Sequence, residues 1–211
     1  MNKTITLVNE WGKFEEKHPD GNIDDFCRYH LTHQKEEKHT GNTKSVLIPT
    51  NVDSVLMRTM GRIMLLHSIY ADVALEGTGI SSVEEFSMLN TVYQLKNSKK
   101  SEVIYACLHE ISTGTDILNR LRKLSYLTEH DDKEDRRSKR LNITAKGEKV
   151  ILNCKKQIAL LAKMMLNDMD IDDKKLCIQL LKNIETKFSP ILQQHKGKSF
   201  EEIYKEIVTK Y

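Results

Sequence analysis

Helix-breaking residues are scarce in this sequence, which has three prolines and nine glycines among 211 residues. Long helices are therefore favoured over a fold of many short strands. The sequence also lacks any run of about 18 or more apolar residues, and residues 1–11 lack the apolar segment of a signal peptide. We therefore expect a cytoplasmic protein without a membrane partner.

Disulfide scaffolds and common catalytic motifs are missing as well. The four cysteines lie far apart without a CxxC pair, which indicates reduced thiols, and we expect Cys27 to pack beside Phe26. No glycine-rich phosphate loop and no serine-centred nucleophile motif occurs, so we expect neither an enzyme nor a cofactor. His30, His33 and His39 have a spacing that zinc ligands can have, but no second Cys/His cluster completes a shell, and we expect no metal.

Positive charge is concentrated in one segment of the chain. Lysine and arginine number 33 against 30 aspartate and glutamate residues, and the net charge of +3 is too small to indicate a nucleic-acid partner by itself. Residues 136–149, however, contain six basic residues and one acidic residue, Glu148, a local excess of +5. This segment is therefore a candidate for contact with phosphates.

Hydrophobic periodicity separates an N-terminal extension from a long helix. Residues 1–50 form the extension, with one predicted helix near residues 26–31. From Val52 to Ala74, apolar residues recur every three or four positions. This spacing predicts a dimerisation helix within residues 51–80 that ends at the glycines of residues 77–79.

A helix-turn-helix is predicted at the start of residues 81–148. Ser82 begins a helix with Glu85 in capping-box position, and Ser101 caps a short helix after it. A tight turn at residues 111–114 leads into a second helix. Its predicted buried stripe consists of Ile117, Leu118, Leu121 and Leu124.

A β-hairpin is predicted to follow these helices. Residues 126–130 and 139–143 are short, β-capable segments on either side of a charged turn. Two helices, a tight turn and a hairpin make a winged helix-turn-helix, whose second helix fits the DNA major groove. The predicted fold class is mainly α, with a two-stranded wing and a dimerisation platform from the N- and C-terminal helices.

The rest of the chain is predicted to form dimerisation helices over residues 149–195 and a tail over residues 196–211. Thr144 caps the first helix, and Asp170 or Asp172 begins the next one, which Pro190 should end or kink. Apolar positions in the first helix follow a three-then-four rhythm, which is typical of a seam shared with a partner chain. The predicted seam residues are Ile151, Cys154, Ile158, Leu161 and Met165.

One motif spans the wing and the start of the helix after it. Its residues are Asp135, Arg136, Arg137, Leu141, Ile143, Thr144 and Gly147. Their spacing resembles the wing signature of the MarR (multiple antibiotic resistance regulator) family, and the resemblance covers residues 52–190 in element order. It implies a homodimeric transcriptional regulator that binds double-stranded DNA at a pseudo-palindromic operator and responds to a small-molecule effector. The sequence departs from the family pattern at residues 125–127, where Ser-Tyr-Leu stands in place of a glycine-containing turn.

The DNA contacts expected from this resemblance fall into two groups. The second helix of the pair presents polar side chains to the bases, and the wing reaches the backbone or the minor groove. Asp135 is expected to position a wing arginine through a charge-assisted hydrogen bond. The helix residues are Ser112, Thr113, Thr115, Asp116, Asn119, Arg120 and Lys123, and the wing residues are Arg136, Arg137, Lys139 and Arg140.

Several alternatives remain open at the level of the sequence. Met57, Met60 and Met64 with His67 either line an effector pocket or pack in an ordinary core. Regulation would act by occluding a promoter, as a repressor does, or by recruitment. The acidic residues beside the wing also fit a winged-helix module that binds protein, whose apolar contact would not weaken with salt as phosphate contacts do.

Overall fold

The computed structural model describes residues 2–36, 51–133, 135 and 138–208, which fall into two compact units, Met1–Leu56 and Met57–Tyr211. The first unit contains helices α1 (Lys3–Lys17) and α2 (Ile23–Glu36). The sequence predicts only one helix before residue 50, and this prediction is wrong because α1 was missed. The β-branched residues and the glycine within α1 weaken its intrinsic helix signal, and the helix is instead stabilised by packing.

An aromatic cluster joins α1 to α2. Phe14 and Phe26 are buried, with ring centroids 5.6 Å apart, and Trp11 lies 5.1 Å from Phe26. His30 stacks on the same Phe26 ring at 5.6 Å. Cys27 is exposed, so the prediction that its thiol packs beside Phe26 is wrong. The cluster gives the first unit a small core of its own.

The long helix predicted from Val52 is confirmed as α3 (Val52–Leu75). It ends before Gly77 and Gly79, whose φ angles of 73° and 95° favour glycine. Among the described residues, no helix is both long enough and apolar enough to span a bilayer.

The next elements are α4 (Val83–Leu95), β1 (Ser98–Lys99), α5 (Lys100–Ala106), α6 (Ile111–Lys123), β2 (Leu127–Asp131) and β3 (Lys139–Ile143). The predicted hairpin is confirmed, with Leu127 opposite Ile143. β1 adds a third, antiparallel strand in the order β1-β3-β2, which the sequence analysis missed because two residues carry no periodicity. The core beneath these elements includes Leu75, Met88, Leu89, Val92, Ile104, Leu118, Leu121, Leu141 and Ile151.

The turn between α5 and α6 lies earlier than the sequence predicts. Residues 111–114 form the first turn of α6, and the tight turn instead follows α5, with Leu108 at a φ of 56°. Leu108 N–H donates to the Tyr105 carbonyl and His109 N–H donates to the Ile104 carbonyl, as in a Schellman motif. Ser101 lies inside α5, whose N-cap is Lys99, so the predicted serine cap is also wrong.

Gly114 is needed for packing, although the sequence suggests a turn glycine. It lies inside α6, where a Cβ atom would approach both γ-carbons of Ile104 to 2.7 Å. Absence of a side chain therefore lets α6 pack closely against α5.

The structure at the end of α6 explains how the turn before the wing forms without a glycine. Ser125 has a φ of 62°, and its N–H donates to the Arg122 carbonyl while Tyr126 N–H donates to the Leu121 carbonyl. These bonds form a second Schellman motif with serine at the left-handed position. Tyr126 is buried, and its hydroxyl donates to the Gly79 carbonyl at 2.9 Å. The wing thus keeps its connection to α6 with a strained residue in place of glycine.

Replacing Ser125 with glycine is expected to raise the free energy of unfolding by about 1 kcal/mol, because glycine adopts positive φ without steric cost. Chemical denaturation of the full chain measures this change. Ser68→Gly is the matched control, since Ser68 lies within α3, where glycine is expected to destabilise the helix. A loss of stability in both variants would show that Ser125 is not strained.

The C-terminal helices are α7 (Ala145–Met165), α8 (Ile171–Phe188) and α9 (Phe200–Val208), with a 3-10 helix at Leu192–His195. Thr144 caps α7 as predicted, since its hydroxyl accepts from the Gly147 N–H at 3.0 Å. α8 begins after Asp170 and ends before Pro190, also as predicted.

The apolar stripe of α7 faces the core of its own chain, which corrects the predicted intermolecular seam. Ile151, Cys154 and Leu161 are buried within the single chain, and Ile158 packs against the core from its edge. The spacing of apolar residues along a helix does not show whether a partner chain or the rest of the same chain covers them, because both bury the same face of the helix.

Large apolar surfaces remain uncovered elsewhere. α8 spans 18 residues, yet none of them is buried in the chain as the structure describes it. α3 likewise exposes one apolar residue after another. The exposed apolar residues of these two helices include Ile63, Leu66, Tyr70, Val73, Leu176, Ile178, Leu180, Ile184 and Phe188.

Candidate nucleic-acid interface

Helix α6 separates into an apolar face and a polar face. Gly114, Ile117, Leu118 and Leu121 are buried against the core. Leu124 is predicted to belong to this stripe, and this prediction is wrong, because the residue is 41% exposed at the helix end. Helical geometry places a second set of residues, spaced four, three and four positions apart, directly opposite this buried stripe. These outward residues are Ser112, Asp116, Asn119 and Lys123.

The polar face is bordered by two concavities. One, of about 650 Å³, runs along Thr113, Asp116, Asn119 and Lys123 beside Glu84. The other, of about 260 Å³, lies between α5, α6 and β3, and its lining includes the predicted site residues Thr115 and Lys139. This second cleft also contains Lys99, Lys100, Ser101 and Ser138. Amines and hydroxyls are common phosphate-contacting groups, and the sequence analysis missed the α5 members because only packing brings them beside α6.

Much of the basic charge in this region has an acidic partner in the same chain. Lys139 forms an ion pair with Asp131, which raises the pKa of the lysine and keeps it protonated. Glu129 lies 3.7 Å from the Lys100 amine and 3.8 Å from the Arg122 guanidinium. Lys123 has no ion pair within the described part of the chain. The local excess of positive charge is therefore smaller on the surface than the sequence suggests.

Arg140 supports the wing from inside. Its Nε donates to Asp132 Oδ2 at 2.7 Å, and a terminal nitrogen donates to the Asn97 carbonyl at 2.7 Å. Asp132 is only 2% exposed. A buried carboxylate needs such a partner, so Arg140 and Asp132 fix the hairpin to the β1 segment. The sequence predicts a DNA contact for Arg140 and does not indicate its pairing with Asp132, because neither residue reveals its partner in the sequence.

The tip of the wing is only partly described. Asp135 accepts a hydrogen bond from the Ser138 hydroxyl at 2.8 Å, and its carbonyl accepts one from the Ser138 N–H. Arg136 and Arg137 lie outside the described residues. The expected bond between Asp135 and a wing arginine therefore stays a prediction.

Arg120 points along the flank of α6 toward α4. Its Nε lies 2.7 Å from Glu85 Oε1. Ser82 caps α4 as predicted, since its hydroxyl accepts from the Glu85 N–H at 3.3 Å. The Glu85 side chain does not complete the predicted capping box with Ser82, because it accepts from the N–H and hydroxyl of Ser81 instead.

Metal-binding and thiol chemistry do not define a second site in the described residues. No cluster of three or more potential metal ligands occurs there. Among the three histidines whose spacing resembles that of zinc ligands, His30 Nδ1 lies 4.0 Å from Glu10 Oε2. The His33 side chain and His39 are outside the described part of the chain. Burial raises the pKa of the Cys154 thiol, which disfavours the reactive thiolate.

Comparison with known proteins identifies the fold of the winged lobe, residues 82–147. Residues 82–147 match the family model of a winged helix DNA-binding domain. No curated protein sequence matches the chain. A MarR protein from Peptoclostridium difficile is 17% identical, with a TM-score of 0.66 over 73% of this chain and 100% of that chain. The transcriptional repressor CouR, bound to a 23-mer DNA duplex, is 18% identical, with a TM-score of 0.59 over 67% of this chain and 99% of that one.

A third solved structure is an organohalide-sensing transcriptional regulator in its 2,4-dichlorophenol-bound form. It is 14% identical, with a TM-score of 0.62 over 75% of this chain and 92% of that chain. The chain therefore has the winged helix-turn-helix fold of MarR-type regulators, and the fold class and resemblance predicted from the wing motif are confirmed.

Proposed function

We propose that this chain is a transcriptional regulator that binds a pseudo-palindromic DNA operator as a homodimer. The observation that carries the proposal is helix α6, which lies within the residues that match a DNA-binding domain. This helix buries one face against the core and presents the opposite, polar face to solvent. An exposed helix of 13 residues with amide, hydroxyl, carboxylate and amine groups on one side can enter the major groove.

Each group on the polar face has a matching chemistry in DNA. The Asn119 amide can pair with adenine, and the Asp116 carboxylate can accept from the amino group of cytosine. Lys123 and the second cleft suit phosphates. We propose Ser112, Thr113 and Thr115 as further contacts, with Lys139, Arg136 and Arg137 contributing from the wing.

The homodimer is supported by the uncovered helices. α3 and α8 expose many large apolar side chains, and contiguous apolar surface of this kind marks an interaction site. A second copy of the chain supplies a second α6 helix and covers this surface with one symmetric contact. Two reading helices then match the two halves of a pseudo-palindrome.

A small-molecule effector is the proposed signal. Met57 and Met64 are exposed on α3, so they belong to the uncovered apolar surface and not to a core of the single chain. Met60 and His67 are half-buried on the same helix. A pocket between this surface and a second copy would place an effector where it could change the spacing of the two reading helices. By this route the effector would release or recruit the regulator at a promoter.

The decisive experiment is selection of duplexes from genomic fragments, followed by binding of variants to the selected duplex. Asn119→Ala is expected to cost about 1–3 kcal/mol and to relax preference at one position of each half-site. Lys123→Ala is expected to weaken selected and scrambled duplexes alike and to lower the salt slope by about one unit.

Lys163→Ala is the matched control, because this lysine lies in the last turn of α7 and is not one of the residues that we propose to contact DNA. Its binding should equal that of the wild type. Unchanged discrimination by the Asn119 variant would remove this residue from base reading. Binding that does not respond to salt would contradict DNA recognition and support the protein-binding module instead.

A further inference from the structure

We propose that Arg120 is a positioning residue and that the buried carboxylate of Glu85 sets the orientation of the DNA-reading helix. This inference rests on the proposed function. It assigns a role in DNA preference to Glu85 and Ser81, neither of which lies on the polar face of α6. We refer to Ser81, Glu85 and Arg120 together as the clamp.

The clamp satisfies a carboxylate that water cannot reach. Glu85 is 2% exposed in α4. Its Oε2 accepts from the Ser81 N–H at 2.9 Å and from the Ser81 hydroxyl at 2.7 Å, while its Oε1 lies 2.7 Å from Arg120 Nε. A buried charge is tolerated only with such partners, so each bond constrains the group that makes it.

The position of Arg120 on α6 agrees with this role. Ser112, Asp116, Asn119 and Lys123 lie opposite the buried stripe, whereas Arg120 lies on the flank beside α4. The Arg120 side chain is 59% exposed, but its Nε is committed to the carboxylate. A guanidinium held from one edge in this way fixes the distance between α4 and α6.

The clamp also connects α6 to the end of the proposed dimerisation helix. Ser81 follows the two glycines that end α3, and the Tyr126 hydroxyl binds the Gly79 carbonyl at 2.9 Å. The segment after α3 is thus bound to the C-terminal end of α6 by two routes, through Glu85 and Arg120 and through Tyr126. In a homodimer, the angle between α3 and α6 determines how far apart the two reading helices lie, and the clamp holds that angle.

A double-mutant cycle on the full chain tests the proposal, using E85Q, R120M and the combined variant. The probes are the duplex that the wild-type chain selects from random-sequence DNA and a scrambled duplex of equal length. Each single variant is expected to lower the ratio of specific to scrambled affinity by roughly tenfold, and the combined variant by the same factor, because either change opens the clamp. The salt slopes should not change, since no phosphate contact is lost.

Thermal unfolding supplies a second readout of the same cycle. R120M leaves the buried carboxylate without its cation, so its unfolding midpoint should fall, and adding E85Q should raise the midpoint again. E84Q is the matched control, because Glu84 precedes Glu85 in α4 and, in the described part of the chain, makes no hydrogen bond or ion pair with Ser81 or Arg120. Its effects on affinity and midpoint should add to those of R120M.

Two results separate failure of the clamp from failure of the proposed function. If R120M loses preference at a single base pair while E85Q keeps the wild-type profile, or if their effects multiply, Arg120 reads bases and the inference is overturned while the proposed function stands. If the wild-type chain selects no duplex, the proposed function falls and the inference falls with it.

Discussion

Replacing Gly147 with alanine is expected to destabilise the winged lobe by about 3 kcal/mol. A Cβ atom at this position would overlap the Tyr126 carbonyl oxygen and approach Ile143 Cγ1 to 2.8 Å. That carbonyl accepts hydrogen bonds from the Thr144 N–H at 2.9 Å and from the Thr144 hydroxyl at 3.2 Å, so it cannot move without breaking them. Urea denaturation of the full chain measures the loss.

Two further glycines calibrate this result. Gly12 lies inside α1 with no described atom within 4 Å of its Cβ position, so Gly12→Ala should be neutral or stabilising by up to about 1 kcal/mol. Gly114→Ala should fall between the two, because its Cβ would meet the side chain of Ile104 and not a backbone carbonyl. If Gly147→Ala were as stable as Gly12→Ala, the close approach to Tyr126 would not constrain the lobe.

A Leu180→Glu and Ile184→Glu double variant is expected to convert a dimer into monomers. Both residues are exposed on α8, one helical turn apart, and the proposed interface would bury them. Placing two unpaired carboxylates in that interface should cost several kcal/mol, which exceeds the effect of most surface substitutions. Sedimentation at micromolar concentration measures the change, and circular dichroism should show that the helices remain folded.

Asn183→Glu is the matched control on the same helix, because it adds one carboxylate without removing an apolar side chain. It should stay dimeric. Charged residues at Ile158 and Leu161 should instead unfold the chain, since Leu161 is buried and Ile158 packs on the core of the same lobe. A soluble, dimeric Leu180→Glu and Ile184→Glu variant would place the interface elsewhere.

Features that depend only on neighbouring residues could be predicted from the sequence. The caps at Ser82 and Thr144, the long helix from Val52, the hairpin and the end of α8 before Pro190 all follow from local periodicity and capping chemistry. The wing motif indicated the fold of the lobe for the same reason, since its spacing lies within one hairpin and one helix start. Missed elements were short, as β1 is, or had weak intrinsic propensity, as α1 has.

The pairing of polar groups and the covering of apolar faces could be seen only in the folded chain. The sequence could not show that Arg120 pairs with Glu85 or that Arg140 pairs with Asp132, because packing of separate elements brings these groups together. It also could not show that Gly114 serves helix packing while Leu108 forms the turn, or that the α7 stripe faces its own lobe. A side chain's local pattern fixes the face of the helix on which it lies, whereas its partner is fixed by the geometry of the whole lobe.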